Sequence, residues 1–289
     1  MISETEFRKT IVEMLCSAET TLPKDVIKTL KRCRRRERDE IALLQFDCMF
    51  RNLELAQKLG VPICQDTGIP IFFVRLGSEV GLGFDLERTL KSAVKQATRE
   101  VPLRPNVVDP LTRANPGTNV GSGQPAVHLE LVPGRKLEVD ILLKGAGTEN
   151  LSRSYMLRPI DGVAAIERAI LLTIAGAGGR PCPPTLVGVG IGGSAEVACL
   201  LAKKALLRPL GSRNPDKKLA KLEIRLTQRA NELGIGPMGL GGRATVLGIH
   251  VAKAACHTAS LPVAVNFQCW VARRASIKLI GNRLCMEVP

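Results

Sequence analysis

The chain has 289 residues, 45% of them hydrophobic, a formal net charge of +14 and nine cysteines. That length buries a substantial core and that apolar content excludes a disordered chain, while no run of about 18 apolar residues is free of charge or clustered glycines, which excludes a membrane span. The start, MISETEFRKT, lacks the basic residues and apolar core of a secretion signal, so a cytoplasmic location with reduced thiols is expected. No CxxC occurs, which argues against zinc knuckles and thioredoxin-type redox sites. The densest basic run is KRCRRRER, Lys31 to Arg38, but one Tyr and one Trp leave little aromatic surface for base stacking. The run reads as a solvated helix face; nucleic acid is an unlikely partner, and the positive field suits a dianionic substrate or an acidic subunit.

In chain order, Ser3 and Glu6 form a capping box ahead of Phe7, Ile11, Met14 and Leu15 at helical spacing. Pro23 opens a second helix with Val26, Ile27 and Leu30, and a third runs from about Asp39 to Leu59, stopped by Gly60. A loop, PICQDTG, leads into an apolar strand from Ile69 to Leu76. Asp85 to Glu100 is helical and ends before Pro102. Residues 103 to 124 are rich in Pro, Asn and Gly and read as a long, functional loop. Ala126 to Val132 and Leu137 to Leu143 alternate around Pro133-Gly134, the pattern of a hairpin. Helices are expected over Asp161–Ala175, Ser194–Leu207 and Asp216–Leu233, and strands over Thr185–Val189, Ala244–Ala252 and Pro262–Phe267. With no repeat and no linker, residues 1–289 read as one α/β domain (mixed α+β), helical at its N-terminal end and carrying a mixed, partly antiparallel sheet.

Several loops carry chemistry. Cys64, Gln65 and Asp66 place a soft metal ligand, an amide and a carboxylate at the mouth of a strand, a set suited to metal-assisted acid–base work. Arg104 and Asn106 open the long loop, where an arginine can grip a carboxylate with two prongs. KGAGTEN, Lys144 to Asn150, is a glycine-bearing turn able to close over a ligand. GVGIGG, Gly188 to Gly193, matches a dinucleotide fingerprint, but no second parallel strand ending in an acid follows. It reads as a turn for close backbone approach, with amides able to hold a carboxylate. His257 lies in CHTASLPVAVNFQCW, twelve residues before Cys269; His128 and His250 fall inside strands. Cys64, Cys182 and Cys269 each sit in an unusual loop, although their spacing alone does not bring them together. Three thiolates without a fourth leave one iron of a 4Fe–4S cluster open. The other six cysteines are expected to be buried thiols.

The segments PICQDTG, LRPN, NPGTNVGSGQPAVH, KGAGTEN, CPPTLVGVGIGGSAEVA, RPLGSRNPD, NELGIGPMGLGGRATVLGIH, CHTASLPVAVNFQCW and RRA resemble class I (iron–sulfur) fumarate hydratases, in particular their N-terminal part or α subunit, from about residue 60 to 275. The resemblance implies that Cys64, Cys182 and Cys269 hold a 4Fe–4S cluster whose open iron meets the substrate's carboxylate and hydroxyl. It implies that Gln65, Arg104 and Gly147 bind substrate, and that Asp66 and His257 handle protons. A sister family, the L-tartrate dehydratase α subunit, shares PxCQDTG and CPPxLVGVGI-type segments; KGAGTEN and HTASLPVAVNFQCW look more like the fumarase, so fumarate and L-malate are the expected substrates and L-tartrate the alternative. The family also uses an arginine- and lysine-bearing C-terminal domain, which is expected here as a separate β subunit in a hetero-oligomer built on an α-chain dimer. An electron carrier would want four cysteine ligands and no neighbouring carboxylate, and a nucleic-acid binder would depend on Lys31 to Arg38.

Overall fold

A computed structural model describes residues 2–101, 103–281 and 283–287. It contains helices α1 (Glu4–Thr20), α2 (Lys24–Arg36), α3 (Glu40–Leu59), α4 (Leu86–Glu100), α5 (Ala146–Glu149), α6 (Gly162–Ala177), α7 (Ala195–Ala205) and α8 (Lys217–Asn231). The strands are β1 (Ile69–Gly77), β2 (Ala126–Val132), β3 (Leu137–Lys144), β4 (Arg153–Leu157), β5 (Thr185–Ile191), β6 (Val246–Lys253), β7 (Leu261–Gln268), β8 (Arg274–Ile280) and β9 (Arg283–Glu287). The expected mixed α/β class holds. The strands divide between two sheets, each with parallel and antiparallel pairs, where one mixed sheet was expected.

The chain forms two compact units. The first is drawn from residues up to Lys24, from Asn52–Gly145 and from Arg273 onward; the second from Asp25–Arg51 and Ala146–Ala272.

In the first unit the sheet order is β2-β1-β3-β8-β9. The apolar stripe of α1, Phe7, Ile11, Met14 and Leu15, and that of α4, Leu90, Ala93, Val94 and Ala97, are buried in one core with Phe72, Val74, Val139, Ile141 and Ile277. Each large side chain there contributes about 1.5–3 kcal/mol by leaving water. The caps follow from sequence: the Ser3 hydroxyl accepts from the Glu6 N–H, and the Asp85 carboxylate from the Arg88 N–H. Pro102, expected to end α4, lies outside the described residues.

The expected hairpin is corrected. β1 lies between β2 and β3, parallel to the first and antiparallel to the second. β1 is buried along most of its length whereas β2 is largely exposed, so β1 takes the central position with ladder partners on both edges and β2 becomes an edge. The Pro133-Gly134 turn passes over the end of β1. Gly77 donates to the Lys136 carbonyl at 2.6 Å, and a Cβ on Gly77 would lie 2.1 Å from the Gly134 oxygen, so only glycine fits there.

In the second unit the order is β4-β7-β5-β6. Alternation along β5 gives each face its helix. Val187 and Val189 join Ile170, Ile174, Leu226, Ile249, Val263 and Phe267 under α6 and α8. Gly188 and Gly190 face α7 so closely that Cβ atoms would sit 2.1 and 2.0 Å from the carbonyl oxygens of Ala202 and Ala198. The GVGIGG run thus serves close helix–strand packing, as expected of glycines that allow close backbone approach. Its turn amides are not free to hold a carboxylate: Gly192 donates to Pro262 at 2.8 Å and Gly193 to Ala255 at 3.1 Å.

The basic run Lys31 to Arg38 covers the C-terminal end of α2, where positive charge offsets the helix dipole. Arg34 pairs with Asp47 at 2.6 Å. Glu37 is buried and accepts from the amides of Arg38 and Arg243 at 2.9 and 2.7 Å. Among the described residues no helix is long and apolar enough to cross a membrane.

Candidate functional site

In the first unit, the Cys64–Gln65–Asp66 loop is fixed before β1 starts. The Ile63 N–H donates to the Glu19 carbonyl at 2.9 Å, and the Asn52 amide to the Ile63 carbonyl at 2.9 Å. Asp66 closes an Asx turn by accepting from the Gly68 N–H at 2.9 Å. Gly68, at φ +72°, lies against β3; a Cβ there would meet the Lys144 carbonyl carbon at 2.8 Å. The same carboxylate faces Gly145, where an added Cβ would be 3.0 Å from Oδ2.

The long loop meets this segment. The Asn106 amide donates to Gly68 O at 3.0 Å and to Asp66 Oδ1 at 3.4 Å. Thr67 donates to the Arg104 carbonyl at 3.4 Å. Asn119 holds the loop from below: it is buried, its Nδ2 donates to Arg104 O at 3.0 Å and its Oδ1 accepts from the Asn106 N–H at 2.6 Å. The first unit therefore gathers Cys64, Gln65, Asp66, Arg104 and Asn106, with Gln65 and Arg104 exposed and Cys64, Asp66 and Asn106 half-buried.

In the second unit, Cys182 and Cys269 come to the same end of the sheet because β5 and β7 run antiparallel, pairing Leu186 with Gln268. The Trp270 N–H donates to the Cys182 carbonyl at 3.1 Å, joining the two loops. Cys182 has φ +52° and precedes the cis Pro183-Pro184 bond. Cys269 Sγ lies 3.6 Å from the Val271 carbonyl. Gly147, in the first turn of α5, stands near Arg180; an added Cβ would be 3.6 Å from the Arg180 carbonyl, an ordinary contact. No intrahelical acceptor is available to amides that early in a helix.

His257 is elsewhere. It is exposed in the loop between β6 and β7, while Cys269 follows the far end of β7. The eight residues of β7 separate them by about 25 Å. The His257 Nδ1 accepts from the Ala259 N–H at 3.1 Å, which leaves Nε2 as the protonated, outward nitrogen of the neutral ring. His128 stacks on Phe73 at 5.1 Å and His250 is buried with Nδ1 3.2 Å from the Ala205 carbonyl, so both are sheet residues as expected.

All nine cysteines are free thiols. Cys64, Cys182 and Cys269 are half-buried, the accessibility a ligand needs. The expectation of six buried thiols elsewhere is corrected: Cys16, Cys48, Cys199 and Cys256 are exposed and Cys33 and Cys285 half-buried. Among the described residues no group of three or more His, Cys, Asp or Glu forms a metal-ligand set. The first unit places one thiol beside a carboxylate, and the second places two thiols at one sheet end.

Sequence reading missed Asn119, Glu19 and Arg273. Glu19 and Arg273 are buried and paired at 2.6 Å, and Arg273 also donates to the Asp66 carbonyl at 2.8 Å. Burial pushes the Glu19 carboxyl up to about 7 against the pull of Arg273, with the Asp66 charge adding to the rise. The only local signals were an acid at the end of an apolar helical stripe, an asparagine in a glycine-rich loop, and two adjacent arginines opening a strand.

The family model described as Fumarate hydratase (Fumerase) matches residues 8–278. The chain is 47% identical, over 92% of its length and 94% of the relative's, to a protein of Methanocaldococcus jannaschii named "Putative L(+)-tartrate dehydratase subunit alpha". It is 41% identical to the L(+)-tartrate dehydratase subunit alpha of Escherichia coli strain UTI89, over 90% of this chain and 86% of that one. Its similarity to the same subunit of strain K12 is 40% identity over 89% and 86%.

Proposed function

The chain belongs to the fumarate hydratase (Fumerase) family, a hydro-lyase family, and on that premise we propose that it is the α subunit of an iron–sulfur hydro-lyase acting on a four-carbon hydroxy-diacid. The observation that carries this reading is the joining of the Cys64–Asp66 loop to the Arg104–Asn106 loop, which puts a thiol, a carboxylate and an arginine on one support. Fumarate with L-malate and L-tartrate both fit, and the names of the similar α subunits weigh toward L-tartrate. Those names also support a β subunit as partner. Nine free thiols support a reducing, cytoplasmic setting.

Cys64, Cys182 and Cys269 are the thiolates proposed to hold a 4Fe–4S cluster. When bound, such a cluster supplies Lewis acidity at the hydroxyl that must leave. Arg104 binds a substrate carboxylate through its planar fork, and its backbone is held still by Thr67 and Asn119. The Gly147 amide and Gln65 orient the diacid. Asp66 carries a proton at its carboxylate, whose orientation is set by the Gly68 N–H and the Asn106 amide. The negative charge that develops next to the remote carboxylate calls for positive groups, which Arg104 and basic residues of the β subunit supply.

His257 cannot act alongside the Cys182 and Cys269 of its own unit, some eight strand residues away. Its protonated Nε2 therefore serves the site of a second copy, which gives the expected α-chain dimer a chemical purpose. The test is reconstitution of the α chain with iron and sulfide without oxygen, addition of the β subunit, and assay of fumarate from L-malate and oxaloacetate from L-tartrate. Turnover of either, abolished by Cys64→Ser, supports the reading; a loaded cluster that turns over neither overturns it.

A further inference from the structure

We propose that the buried Glu19–Arg273 ion pair is the device that positions the Cys64–Gln65–Asp66 segment, an inference that rests on reading that segment as the substrate loop. The two residues lie 254 positions apart in sequence, and their side chains are 0% and 3% exposed. Arg273 Nη1 donates to Glu19 Oε2 at 2.6 Å, and Nη2 donates to the Asp66 carbonyl at 2.8 Å. The Glu19 backbone carbonyl accepts from the Ile63 N–H at 2.9 Å. The ion pair thus grips the segment at Asp66 while the Glu19 backbone holds it at Ile63, on either side of Cys64 and Gln65.

Packing does not call for this pair. Desolvating an ion pair costs more than burying well-packed apolar side chains of the same volume, which is why buried pairs are weak stabilisers. The α1 stripe already anchors that helix with Phe7, Ile11, Met14 and Leu15. An apolar pair would remove the donor that Arg273, just ahead of β8, gives the Asp66 carbonyl. A planar guanidinium gives two N–H directions at once, so the position of the Glu19 carboxylate sets the position of the Asp66 backbone. Glu19 Oε1 is buried with no hydrogen-bond partner among the described residues, so the pair carries a cost that packing alone does not offset. Glu19 and Arg273 are positioning residues; they act through the loop.

The test uses Arg273→Lys and Glu19→Gln in the full α chain. Lysine keeps the charge opposite Glu19 but, as a single ammonium, does not hold the carboxylate and the Asp66 carbonyl in one plane. In the α chain without cluster, amide hydrogen exchange at residues 64–68 is expected to rise about tenfold or more, and by more than exchange in α1 and β8. In the reconstituted enzyme with its β subunit, kcat is expected to fall about 10–100-fold with KM changed less than about threefold, and the acidic limb of the kcat–pH profile to shift. Unchanged exchange at 64–68 in both variants, or faster exchange spread evenly through the first unit, would overturn the positioning role. If wild-type enzyme turns over no hydroxy-diacid, the functional reading falls, and the exchange result alone decides whether the pair holds the loop.

Discussion

Asn119→Ala removes one buried side chain and the hydrogen bonds it gives both Arg104 and Asn106. Asn119 is 1% exposed and holds φ +54°. Its Oδ1 accepts from the Asn106 N–H at 2.6 Å; its Nδ2 donates to the Arg104 carbonyl at 3.0 Å and to Thr98 Oγ1 at 3.3 Å. Leaving the half-buried Asn106 N–H unpaired costs about 1–2 kcal/mol, and the Arg104 carbonyl, which water can reach, about 0.5–1. Alanine in the left-handed region adds about 1 kcal/mol. The sum is roughly 3 kcal/mol, a large share of the stability of an ordinary domain. Asn119→Gly loses the same hydrogen bonds without the backbone strain and recovers on the order of 1 kcal/mol. Urea unfolding of both variants gives the two terms separately. Turnover by the reconstituted enzyme is expected to fall in both, since Arg104 and, through Asn106, Asp66 lose their support. A loss below about 1 kcal/mol in Asn119→Ala, with normal turnover, would refute the idea that this side chain organises the loop.

Gly190→Ala puts a Cβ 2.0 Å from the Ala198 carbonyl, so α7 must move off the sheet; a loss of about 3 kcal/mol or failure to fold is expected in thermal melts. Gly147→Ala meets nothing closer than 3.6 Å, so its melting temperature is expected to match wild type while KM rises. Glu19, raised by burial from 4.5 to about 7, binds its proton more tightly folded than unfolded, so its contribution to stability is full below about 4.5 and is lost as pH rises through about 7; urea unfolding from pH 5 to 8 is expected to show this decline in wild type and to lose it in Glu19→Gln. Co-refolding inactive Asp66→Ala with inactive His257→Ala is expected to restore up to about a quarter of wild-type activity, since half of a random dimer population is hybrid with one intact site of two; no recovery would refute the sharing of His257 between copies.

Local chemistry made much of the fold legible. The cap of α1 at Ser3 follows from a side-chain oxygen ahead of apolar periodicity, and the stop of α3 from Gly60, which takes φ +64°. Strand pairing was less legible, because alternation reports which face is buried and says nothing of which strand lies beside it. That is why β2 and β3 read as a hairpin although β1 lies between them. β4 went unread because it is five residues long and mostly exposed, and β9 because it is a short exposed edge. Within the site, the Cys64 loop announced itself by composition, and the likeness to a family supplied the other ligands. The Glu19–Arg273 and Asn119–Arg104 contacts join distant residues of ordinary type, and no local pattern marks them. The place of His257 depends on the direction of β7, a property of topology and not of its own neighbourhood.

The most direct measurement of the central claim is the visible absorption and turnover of the α chain reconstituted without oxygen in the presence of its β subunit, compared with Cys64→Ser, Cys182→Ser, Cys269→Ser and the exposed-thiol control Cys199→Ser. Iron–sulfur absorption together with dehydration of L-malate or L-tartrate in wild type and Cys199→Ser, and neither in the other three variants, is the expected result. A cluster that persists in any of those three variants, or a wild-type cluster that dehydrates neither acid, would contradict it.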